Sequence, residues 1–106
     1  MNKPVKPDQL QVLSPWSDID PIPLASPAER LKKLDGKKIG FFVNHKRAAR
    51  PMLEVARKWM QDRYPDLTTD IYVGTETNVP EMWTSGKEKF EQWIDAVDGV
   101  VLAVGD

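Results

Sequence analysis

Two stretches decide how this chain folds: Lys38-Ile39-Gly40-Phe41-Phe42-Val43-Asn44, and, near the other end, Val100-Val101-Leu102-Ala103-Val104-Gly105-Asp106. Both are apolar runs with little polar alternation, and both end at turn-forming residues. Such runs mark strands buried on both faces, as in a parallel sheet. Between them the periodicity changes. Met52, Leu53, Ala56, Trp59, Met60 and Tyr64 form a stripe at helical spacing, predicting a helix from near Pro51 to about Tyr64 that is closed by Pro65-Asp66. Asp70-Ile71-Tyr72-Val73 follows as a second strand ended by Gly74. Phe90, Trp93, Ile94 and Val97, at i, i+3, i+4 and i+7, predict a second helix, with Ser85-Gly86-Lys87-Glu88 as its capping box and Asp98-Gly99 as its stop.

The pattern is β-α-β-α-β. Strands alternating with helices imply parallel strands joined by right-handed crossovers. The expected fold class is α/β: a flavodoxin-like, three-stranded parallel half-domain over residues 28–106, with spatial strand order 2-1-3. Trp59 and Trp93 lie on apolar helical faces and are expected in the core. Trp83 falls in the polar loop before the second helix.

Residues 1–27 are different. Six of the nine prolines fall there, and proline removes a backbone donor and forces its predecessor to be extended. This segment reads as an extended arm. It carries Leu10, Val12, Leu13, Trp16, Ile19, Ile22 and Leu24, which a purely solvated tail has little use for. The arm is expected to pack over its own domain or to wrap a partner chain, simple disorder being the third reading. Ser26-Pro27-Ala28-Glu29 predicts a short helix through Leu31 and Leu34, ending at Asp35-Gly36.

Composition narrows the function. With 41% apolar and 29% charged residues, the chain has an ordinary globular composition. A net charge of -1 argues against a nucleic-acid partner. No run approaches the ~20 apolar residues of a membrane span, and the N-terminus has no apolar leader, so no membrane association and a cytoplasmic location are expected. The sequence has no cysteine and a single histidine, His45, so disulfides, thiolate metal sites and multi-histidine metal sites are excluded within it. No metal site and no cofactor are expected.

In a doubly wound sheet, ligands bind outside the carboxyl ends of the strands where strand order reverses. That point lies between strands one and three, where the loop Asn44-His45-Lys46-Arg47 meets Gly105-Asp106. The outer edge of strand three would be apolar and unpaired, a liability that proteins normally cover. A second chain, or a continuation of this polypeptide, is expected to complete the sheet.

The same residues carry a family resemblance. Gly36-Lys37-Lys38-Ile39-Gly40, with Asn44-His45-Lys46 at the strand's end, resembles the opening strand of the UGSC family, named for its motif of selenocysteine or cysteine, glycine, serine and cysteine. His45 stands where that family often has glycine. Val101-Leu102-Ala103-Val104-Gly105-Asp106 is similar to the family's later strand, which ends in Gly-Asp just before the selenocysteine or cysteine. The resemblance covers residues 24–106 and implies thiol or selenol redox chemistry. It also implies that the nucleophile follows Asp106 in a full-length relative. A chain ending at Asp106 is what reading a UGA selenocysteine codon as a stop would give. A trimmed chain and a split enzyme with a second subunit are the other two expectations.

The expected site set is His45, Lys46 and Asp106 as catalytic residues, with Asn44, Arg47 and Gly105 binding a small-molecule substrate. Lys46 matches the family pattern and can lower a neighbouring thiol's pKa or hold an anion. His45 can exchange protons near neutrality. Asn44 can bind substrate or satisfy loop backbone groups. Arg47 and Arg50 lie near a helix start that favours anions. Gly105 and Asp106 shape the turn. Thr75 and Glu76, after strand two, lie further from the switch point and are not expected in the site. The leading reading is the N-terminal part, or small subunit, of a thiol- or selenol-dependent redox enzyme that is inactive alone. The alternatives are a small-ligand-binding flavodoxin-like module and a non-catalytic structural subunit. Against the module, residues 44–50 contain no glycine and so no glycine-rich phosphate loop.

Overall fold

A computed structural model of the chain describes residues 4–105. Its elements run β1 (Lys38–Val43), α1 (Ala49–Arg63), β2 (Thr68–Val73), a 3-10 turn (Glu81–Trp83), α2 (Lys87–Ala96) and β3 (Gly99–Ala103). The three strands form one parallel sheet in the order β2-β1-β3. The α/β half-domain expected from the sequence is therefore the observed one.

Registry explains the two faces of the sheet. Phe41 of β1 aligns with Ile71 of β2 and Val101 of β3, and Val43 aligns with Val73 and Ala103. With Ile39, all of these but the exposed Val73 form the face that packs against Ala49, Leu53, Ala56 and Met60 of α1. Phe41 is fully buried there. Alternate positions point the other way. Phe42 and Tyr72 stack with ring centroids 5.6 Å apart, and Phe90 and Trp93 of α2 close over them. Gly40 sits beneath Trp93, and a Cβ there would overlap the indole ring. The absence of a side chain at Gly40 is what lets α2 lie against the sheet.

Pro51 is accommodated in α1 because it occupies the third helical position, where the amide has no intrahelical acceptor anyway. Arg57 Nε and Gln61 Nε2 both donate to Thr69 Oγ1, at 2.8 and 2.9 Å, tying the helix to β2.

Four expectations fail. Residues 26–34 form no helix. The predicted segment is under three turns, below the length at which a helix holds without tertiary packing, and Leu31 is still 38% exposed. Only the turn at Asp35-Gly36 remains, with Gly36 at φ +72. The capping box of α2 does not form either. Gly86 is the N-cap residue, without a side-chain cap, and its N–H donates to Thr84 Oγ1 at 3.1 Å. Trp59 is 58% exposed rather than in the core, because Leu53, Ala56 and Met60 take the sheet-facing positions of α1. Trp93 is buried as expected. Finally, the arm does not pack over its own domain. Its described residues up to position 33 are exposed, and the molecule is 72 Å long against 31 and 26 Å across.

Candidate functional site

The carboxyl ends of β1 and β2 open into a cleft of about 540 Å³. One wall is the loop after β1, with Asn44, His45 and Lys46; the other is the longer loop after β2, from Gly74 to Glu81; Phe42 forms part of the lining. Two contacts pin the walls together. Gly74 N–H donates to Val43 O at 3.0 Å. His45 Nε2 lies 2.8 Å from Gly74 O. A carbonyl can only accept, so Nε2 carries the proton and donates, and Nδ1 is the basic nitrogen of the neutral ring.

Asn44 works towards the other side. Its Nδ2 donates to Val104 O at 2.7 Å, its backbone N–H donates to Ala103 O at 3.2 Å, and its Oδ1 accepts from Lys46 N–H at 3.1 Å. One side chain thus fixes the end of β3 against the loop that carries His45 and Lys46.

The loop after β2 is shaped by a buried carboxylate that sequence reading did not single out. Glu81 is 7% exposed. It accepts from Tyr72 Oη–H at 2.6 Å, from Thr75 N–H at 2.9 Å and from the Thr75 hydroxyl. Thr84 Oγ1–H then caps Glu81 O at 2.7 Å. Burial alone pushes the Glu81 carboxyl up, but the hydrogen bonds from Thr75 and Tyr72 outweigh it and hold the group below the usual carboxylate range. Burial, followed by the bond to Glu81, pushes the Tyr72 phenol up. A side chain at Gly86 would collide with this cluster. The signal in the sequence was a lone carboxylate between Val79-Pro80 and Met82-Trp83, in a stretch otherwise read as polar loop. Asn78, on the cleft wall, takes φ +58, a conformation asparagine tolerates better than most residues.

Of the expected site residues, Asn44, His45 and Lys46 line the cleft. Arg47 is exposed in the turn before α1, and Gly105 is exposed past the end of β3; neither lines it. Asp106 lies outside the described residues. The cleft opens between β1 and β2 rather than between β1 and β3, because the loop from β2 is long and folded back by Glu81. Glu76, not expected in the site, lines it. Among the described residues no cluster of histidine, cysteine, aspartate or glutamate side chains is arranged to hold a metal ion, and no helix is long and apolar enough to cross a membrane.

A parallel 2-1-3 sheet with helices on both faces and a cleft at its carboxyl end defines half of a doubly wound α/β domain. The chain belongs to the UGSC family, whose family model matches residues 11–106 and so takes in most of the arm. No curated protein and no solved structure matches it.

Proposed function

We propose that this chain supplies the N-terminal part of a thiol- or selenol-dependent redox site acting on a small molecule. The nucleophile comes from beyond Asp106 or from a partner chain that completes the sheet. The observation that carries the reading is family membership over residues 11–106 in a sequence without cysteine. The geometry supports it in two ways. Asn44 holds the end of β3 within hydrogen-bonding reach of the loop that presents His45 and Lys46 to the cleft. The apolar residues Val100 and Leu102 of β3 are 41% and 59% exposed, so its α2-side face has room for further chain.

In this arrangement Lys46 stabilises a thiolate or selenolate electrostatically and His45 Nδ1 accepts its proton. The test compares the 106-residue chain with a form extended through the family's motif, using alkylation rates against pH. The short chain should be inert. The extended form should show a nucleophile titrating below the ~8.5 of a free cysteine, and Lys46→Met should move that titration upward. An extended protein with an ordinary thiol pKa and no turnover with thiol oxidants would remove the redox reading.

One observation favours the second reading, a small-ligand-binding module: the cleft falls within the roughly 300–1,000 Å³ range of small-molecule sites. Titrating mononucleotides and FMN against tryptophan fluorescence separates the two readings, since a saturable response from the short chain alone favours the module.

A further inference from the structure

The apolar residues of the arm recur at every third position: Leu10, Leu13, Trp16, Ile19 and Ile22. Three residues per turn is the repeat of a polyproline II helix; the chain bends at Pro15-Trp16, where Trp16 N–H donates to Ser14 Oγ at 3.2 Å, so an extended segment after the bend carries Trp16, Ile19 and Ile22 as one apolar stripe. All five residues are exposed, from 71% at Leu13 to 99% at Leu10.

The second exposed apolar surface is the outer side of α1. Met52, Val55 and Trp59 are 53%, 71% and 58% exposed and line a shallow groove along the helix. Met52 and Trp59 are separated by about 10 Å along the helix axis at 1.5 Å per residue. One turn of a polyproline II helix rises about 9 Å. Two successive residues of the arm's stripe therefore span the groove, and extended proline-containing segments commonly dock on aromatic-lined grooves.

Charge fits as well. Residues 9–28 contain two carboxylates, Asp18 and Asp20, and no lysine or arginine. Helix α1 carries a net charge of +2; Arg50 and Arg57 pair with Glu54. The Arg63 guanidinium lies 5.4 Å from the Trp59 ring centroid, placing positive charge at one end of the groove. Seating Trp16 or Ile19 there brings the two aspartates to the basic end.

We propose that the arm docks on α1 of a second copy of this chain, making the protein an arm-exchanged dimer. In this chain the arm runs away from its own domain and leaves its own groove open. Reciprocal exchange is a two-fold, self-complementary contact, the commonest form of closed oligomer. Covering one tryptophan removes about 150–250 Å² from water, and reciprocal exchange makes that contact twice in each dimer. An arm-exchanged dimer requires no redox chemistry and forms whether or not the chain serves a redox site.

The first test is sedimentation velocity of the 106-residue chain over a micromolar concentration series, with twice the 12.1 kDa chain mass expected. Trp16→Ser and Val55→Glu should each give monomer with unchanged far-ultraviolet circular dichroism. Trp16 lies outside the folded domain, so its variant answers the question even if Val55→Glu folds poorly. Because the chain has no cysteine, Ile19→Cys chains mixed with Val55→Cys chains should form a disulfide-linked pair on mild oxidation. A monomer throughout the series overturns the proposal, whether its arm is protease-sensitive or protected on its own domain. A dimer that survives both substitutions overturns it as well.

Discussion

Under α1 the sheet presents Ile39, Phe41 and Val43; under α2, displaced by one residue along the same strands, it presents Gly40, Phe42 and Tyr72. The first face is closed by aliphatic side chains of ordinary helical spacing. The second is closed by four aromatic rings whose centroids lie 5.1–6.3 Å apart, and it ends in the Tyr72–Glu81–Thr75 cluster. The difference separates two tasks. The aliphatic face holds the strands together and has no polar stake in the cleft. The aromatic face ties the sheet to the loop that forms one cleft wall, because Tyr72 belongs to both.

The largest effects belong to the centres of the two faces. Phe41→Ala should cost about 3–5 kcal/mol, as for other fully buried aromatics, and should abolish two-state unfolding of the domain in denaturant titrations. Gly40→Ala drives a methyl group into Trp93 and should cost roughly 1–3 kcal/mol. Its signature is a change in near-ultraviolet circular dichroism from the displaced indole, which Phe41→Ala at matched stability should not reproduce. If both variants give the same spectrum, the faces are not independent.

Glu81→Gln acts on the aromatic face alone. Its amide nitrogen would face donors from Tyr72 or Thr75, and the loss should be about 1–3 kcal/mol. Proteolysis within residues 75–80 should accelerate more than global unfolding does. The pH dependence follows from the shifted groups. The folded-state pKa of Glu81 lies below its unfolded value, so its contribution is present above the unfolded pKa and is lost as pH falls through the folded one. The acid limb of a stability-versus-pH curve should therefore flatten in Glu81→Gln. The folded-state pKa of Tyr72 is raised, so its contribution is present below about pH 10 and is lost as pH rises through the folded value. Tyr72→Phe should lack that alkaline loss.

Asn44→Ala removes the bridge to Val104 O and the cap on Lys46 N–H, for a loss of about 1 kcal/mol and faster amide exchange at the end of β3. The smallest effect belongs to His45→Ala. His45 is exposed, and stability should stay within about 0.5 kcal/mol, while any ligand response of the cleft should fall. A large stability loss there would make His45 a structural strut rather than a functional group.

The strand and helix alternation was legible locally, since runs such as Ile39 to Val43 and Val100 to Val104 read as strands wherever they fold, and the helical stripes between them impose crossovers. Equally legible was the place of Asn44, His45 and Lys46 at a strand's carboxyl end. Local signals failed where competing contacts decided the outcome. Ser26-Pro27-Ala28-Glu29 has the letters of a helix start, but the residues after it find too little to pack on, so no helix forms. The capping box at Ser85 loses to Thr84, which Glu81 has already drawn into place. The cleft between β1 and β2, the glycine required at position 40 beneath Trp93 and the burial of the Glu81 carboxylate came from long-range packing. These depend on groups distant in sequence meeting at fixed distances, and no local pattern encodes a partner before the fold delivers it.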